Sequence, residues 1–195
     1  MIRTQQTSAP TYKSFLMLSA YSSERDRDDM MNVLRAQPRP DTLCGERVPD
    51  SLNFLTYGQL DDLRSLDTGG DVVFSLCDII FGKKLDVYSE DVNKVFGFVN
   101  FCSRELERIN GLFSSMKTDY SSEEIAAGVK DLSFGSFGVL DWYAKRMGIT
   151  DQNEVRGVAW VRIYFCMLND HKQQEYERRL QKIYLSKGNT PKKRR

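Results

Sequence analysis

Between residues 90 and 116 apolar side chains recur every three or four positions: Val92, Val95 and Phe96, Val99, Cys102, Leu106, Ile109, Phe113 and Met116. That spacing gathers them on one wide face of an α-helix opened by Ser89. Such a face must be covered by other elements, and the flanking sequence reads as more helices. Thr56-Tyr57-Gly58-Gln59 is a capping box, in which a Thr hydroxyl and a Gln side chain satisfy the first unpaired amides. It starts a helix to about Leu66, ended by Thr68-Gly69-Gly70. Residues 71–81 put Val73, Leu76, Cys77 and Ile80 on one side, with Gly82 as the stop. Ser121-Ser122-Glu123-Glu124 is a second capping box, predicting a helix over 123–132, and a further helix over 139–147 is closed by Gly148. Asp151 to Glu154 caps the last and longest helix, expected to reach about Lys187. Its polar stretch 169–174 predicts a bend or an exposed stretch, after which Tyr176, Leu180, Ile183 and Tyr184 resume an apolar stripe. The expected class is all-α, a helical bundle core over residues 54–187.

Residues 1–53 differ. They hold four of the five prolines and alternate short apolar pieces with polar ones. Phe15 to Leu18 is a turn of helix or a short strand, and Ser23 precedes an amphipathic segment over 24–36. Pro38 and Pro40 then force extended backbone, because proline disfavours helix in the residue before it. The reading is an extended N-terminal arm with short helical pieces, anchored by Phe15, Leu16 and Leu18. At the other end, residues 188–195 form a short basic C-terminal tail containing Lys192, Lys193, Arg194 and Arg195.

The residues that carry chemistry are sparse. Four cysteines lie tens of residues apart with no C-x-x-C pair, so neither a zinc site nor a disulfide framework is expected. Cys77, Cys102 and Cys166 read as buried free thiols. His171, the single histidine, sits in a polar stretch and is expected to be solvated. There is no phosphate-loop motif and no nucleophile elbow. Acidic pairs such as Asp61-Asp62 and Glu123-Glu124 fall in polar faces or first turns, where they favour the helix dipole. Arg104, Glu105, Glu107 and Arg108 read as solvent-side pairs, and Asp141 with Arg162 as a cross-helix pair. A non-enzymatic protein without cofactor is the expectation. The most apolar runs fall short of the ~20 residues that span a bilayer, and no signal peptide or membrane partner is expected.

Charge is balanced in total, 28 Lys+Arg against 27 Asp+Glu, and unevenly placed. Residues 171–195 carry nine bases, among them Arg178 and Arg179, and two acids; the other 170 residues carry 19 bases and 25 acids. A basic end on an acidic body suits pairing between neighbouring copies, a phosphate or acidic partner, or simple solvation. Aromatic residues exceed what a single helix face needs: Phe98 and Phe101, Trp142 and Tyr143, and Trp160 are each candidates for the core or for a subunit contact.

The runs Leu55-Thr56-Tyr57-Gly58-Gln59-Leu60, Arg104-Glu105-Leu106-Glu107-Arg108-Ile109, Phe137-Gly138-Val139-Leu140-Asp141-Trp142-Tyr143 and Tyr176-Glu177-Arg178-Arg179-Leu180 resemble small helical head–tail assembly proteins of tailed bacteriophages, crAss-like Bacteroides phages in particular. The resemblance covers roughly residues 54–185. It implies a virion structural protein made in the host cytoplasm, a ring-forming head–tail (neck or portal) adaptor or connector whose arms lie on neighbouring subunits. Its partners would be further copies of the chain and other virion proteins such as portal or tail components. The alternatives are a tail-assembly chaperone or scaffold, and a small nucleic-acid-binding regulator acting through the basic tail.

Overall fold

Local signals produce helices where their hydrogen-bonding chemistry demands them. The computed structural model describes residues 9–66, 72–116, 120–132 and 134–188, and most of these are helical. The chain is all-α, with one short hairpin among the described residues. It divides into two units, Met1–Asn110 and Gly111–Arg195.

In the first unit Thr11 caps α1 (Tyr12–Tyr21) and Ser23 caps α2 (Glu24–Arg35), each hydroxyl accepting from the amide three residues on. Residues 10–12 pair with the backbone ahead of α5 (Val92–Ser114): Tyr12 N–H donates to Glu90 O at 2.9 Å and Val92 N–H to Pro10 O at 3.0 Å. Ring contacts follow, with Phe15 edge-on to Phe96 at 5.1 Å between centroids. The N-terminal segment is therefore stitched to the start of α5.

Residues 37–53, read as part of an arm, belong to the core of this unit. Leu43, Val48 and Leu52 are fully buried. The hairpin β1 (Thr42–Leu43) and β2 (Glu46–Arg47) turns through Cys44 and Gly45, both at positive φ (48° and 80°). Side chains of α5 satisfy the backbone groups that this irregular stretch cannot pair for itself. Leu52 N–H donates to Glu105 Oε2 at 2.9 Å, and Asn100 Nδ2 donates to Leu34 O at 2.8 Å and Gln37 O at 3.3 Å. Cys44 N–H donates to Glu90 Oε2 at 2.6 Å, just ahead of the helix. The low apolar content of the segment forbids folding alone, and α5 supplies what it lacks.

The capping box forms as read, and α3 (Tyr57–Arg64) starts at Thr56. Gln59 Nε2 reaches Ile79 O at 3.0 Å on α4 (Val72–Phe81), whose Val73, Leu76, Cys77 and Ile80 are all buried. The Thr68-Gly69-Gly70 stop lies outside the described residues.

In the second unit the second capping box also forms, but α6 is only Ser122–Ala126. Gly128, at φ 82°, separates it from a 3-10 turn over Val129–Leu132. α7 (Gly135–Met147) ends on Gly148 in the left-handed region, φ 68°. The expected final helix is two: α8 (Gln152–Arg156) stops at Gly157, and α9 runs Trp160–Gly188. The helix continues through 169–174, where Asn169 and residues 172–174 are exposed, so the exposed stretch is the expectation that holds. That stretch is held by Arg146 bound to Asp170 and by Gln173 to Glu177 at 3.1 Å. Pairs at i, i+4 support a helix that apolar packing does not.

Candidate interaction surfaces

The expected contact aromatics separate by burial. Phe98 is fully buried and stacks on Phe81 at 5.4 Å. Phe101 is buried beneath the Arg39 guanidinium, 5.9 Å from its ring centre. Tyr143 is buried, and so is Trp160, which meets Phe113 at 6.1 Å. These four are core residues of their units and offer little surface. Trp142 is half-buried with Arg146 over its ring at 5.6 Å. Phe15 is half-buried, while Leu16 and Leu18 are exposed. Arg178 bonds Glu124 at 3.4 Å and so ties α9 to α6, whereas Arg179 is exposed. Lys192, Lys193, Arg194 and Arg195 lie outside the described residues.

Other expectations about charge change too. Asp141 takes Lys145 at 2.6 Å and Gln152 at 3.4 Å rather than Arg162, which is exposed. Glu105 is not a solvent-side ornament: its side chain is 14% exposed, it accepts from Leu52 N–H, and it pairs with Arg108 at 2.8 Å. The Arg108 guanidinium outweighs burial and holds that carboxyl below the usual range. Burial pushes the Glu90 carboxyl up, and the amides of Cys44 and Asp91 with the Lys94 ammonium more than reverse it. His171 is mostly covered, not solvated, with its side chain 15% exposed. Burial pushes the Cys77 thiol up to about 12 and raises Cys102 as well, while Cys166 is only half-buried. Among the described residues no cluster of three or more His, Cys, Asp or Glu is placed to hold a metal, and no helix is long and apolar enough to cross a membrane.

Two uncovered apolar surfaces stand out. In the first unit, a groove of about 500 Å³ lies between α1, α2 and the start of α5. Phe15, Leu18, Met30, Val33, Leu34 and Val92 line it, with Leu18 58% and Val33 62% exposed. In the second unit, α9 is apolar on two sides. Trp160, Ile163 and Tyr164 are buried, and Phe165, Tyr176 and Ile183 are exposed. Spacings of 11 and 7 residues put the exposed three about three and two turns apart, in one line. Tyr184 and Leu185, 64% and 63% exposed, widen the apolar surface at the end.

Of these residues, Met30 and Val33 were visible in the sequence as the apolar side of 24–36, and Tyr176, Ile183 and Tyr184 as a stripe. Reading every stripe as inward-facing hides them as surface. Compared with protein-family models, with curated proteins and with solved structures, the chain matches none.

Proposed function

We propose that the chain is a non-enzymatic, self-assembling structural subunit of a tailed-bacteriophage virion, a ring-forming head–tail adaptor. The observation that carries the reading is uncovered apolar surface at both ends of the chain, on α1 (Leu16, Met17, Leu18, Tyr21) and on the second half of α9 (Tyr176, Ile183, Tyr184, Leu185). Monomers rarely expose contiguous apolar patches, so surfaces of this kind favour partners. The phage assignment rests on the sequence resemblance over residues 54–185. In this reading the contacting N-terminal arm is the α1–α2 segment, and the basic tail meets an acidic neighbour in the virion. Light scattering with negative-stain microscopy on the purified chain tests it. Discrete rings or concentration-dependent oligomers are expected, and a monomer of 22.5 kDa at every concentration overturns it.

A second reading, an assembly chaperone, is favoured by the preformed groove, which has the walls and apolar lining that hold an amphipathic helix. A nucleic-acid regulator would lose salt-dependent DNA binding on truncation after Lys187.

A further inference from the structure

The groove and the α9 ridge are matched in length and charge. Ten residues of α1 and twelve of α2 bound the groove, about 15 and 18 Å of helix. Residues 176–187 make a ridge of about 18 Å. On α2, the exposed Asp26 stands one turn before Met30 and the exposed Asp29 one turn before Val33, so each carboxylate lies one turn from a residue that lines the groove. On α9, the exposed Arg179 and Lys187 stand one turn on either side of Ile183. The same complementarity holds at larger scale. Residues 1–110 carry 13 Lys/Arg and 17 Asp/Glu, and residues 111–195 carry 15 and 10. Both surfaces are open in the single chain.

We propose that the α9 ridge of one copy seats in the α1–α2 groove of the next, with Ile183 and its neighbours on Val33, Met30 and Leu18, and Arg179 and Lys187 beside Asp26 and Asp29. This deepens, and rests on, the reading of the chain as a self-assembling subunit. The contact is heterologous: each copy offers one ridge and one groove, so copies add head to tail and close into a ring where the rotation permits. One helix-in-groove joint is enough to hold a dimer, and closure strengthens the assembly further because the last joint forms within it.

Sedimentation velocity on three full-length proteins tests it: wild type, Val33→Asp and Ile183→Asp. Both sites are at least half exposed, so both variants keep the wild-type far-UV spectrum. Each variant alone should lose association by at least ~30-fold, the loss typical of a central contact residue, and run near 22.5 kDa. Mixed in equal amounts they should form a dimer and nothing larger, because the intact ridge of Val33→Asp meets the intact groove of Ile183→Asp and the other two surfaces are dead. Asp29→Lys should weaken wild-type assembly, and pairing it with Arg179→Glu should restore it. A mixture that stays monomeric, or assembly lost in Ile183→Asp but kept in Val33→Asp, overturns the proposal in favour of ridge-to-ridge pairing or another occupant of the groove. Oligomers that persist in both variants overturn this contact and leave the self-assembly reading standing; a wild type that never associates overturns both.

Discussion

Replacing Gly97 by alanine adds one methyl group where α5 meets the backbone of Pro38. A Cβ there would stand 2.1 Å from Pro38 O, 3.2 Å from Pro38 C and 3.3 Å from Pro40 Cδ. A carbon ordinarily approaches a carbonyl oxygen to about 3.3 Å, so the two segments must part by about 1 Å. The 38–40 backbone has little freedom to yield. Asn100 holds Gln37 O and Leu34 O, and the Arg39 guanidinium holds Val48 O at 2.9 Å. Overpacking of this kind costs about 1–3 kcal/mol, and a strained Asn100 bond about 1 more. Alanine returns about 1 kcal/mol through helix propensity. The net expectation is about 1–3 kcal/mol of destabilisation. Gly111 lies in the same helix with nothing within 4 Å of its would-be Cβ, so Gly111→Ala should stabilise by about 0.5–1 kcal/mol. Urea unfolding followed by far-UV dichroism reads both. The same substitution in one helix must change sign between the two positions. Equal effects, or a stabilised Gly97→Ala, would refute the close approach of the 38–40 segment to α5.

Further predictions concern Glu105 and the cysteines. Glu105→Gln should cost about 1–2 kcal/mol at pH 7, a bond to a charged group reduced for the partly exposed Arg108. Because the folded carboxyl lies below its unfolded value of ~4.3, that stability is present above the unfolded value and lost as pH falls through the folded one. Wild type and variant should therefore converge in acid, and a gap that persists to pH 2 in unfolding curves would show that the carboxylate's charge is not what matters. In the native protein at pH 8, a disulfide reagent should titrate at most two of the four thiols. Cys77 and Cys102 are buried and held protonated, so they react only after opening. Rapid native labelling of either, located by peptide mass, would contradict their burial.

Much of the helical content was legible because its causes are local. A Thr56 hydroxyl and a Gln59 amide settle where α3 begins within four residues. The spacing of Val73, Leu76, Cys77 and Ile80 names the buried face of α4 without reference to anything else. Gly157 ends α8 against the expectation of one long helix, and α9 continues through its exposed polar stretch, where Arg146, from 24 residues earlier, grips Asp170. Where amides can be capped and which residues share a face follow from neighbouring residues, since hydrogen bonds and periodicity act over one turn. Which faces are covered depends on segments that are distant along the chain. Residues 37–53 became core because Glu105 and Asn100, on a helix some fifty residues later, supply their missing partners. Phe98, Phe101, Tyr143 and Trp160 went inside, and Val33, Phe165, Tyr176 and Ile183 stayed out, although all are apolar at helical spacing. An apolar face carries the same drive to leave water whatever lies opposite, so its fate depends on what the chain brings against it from a distance.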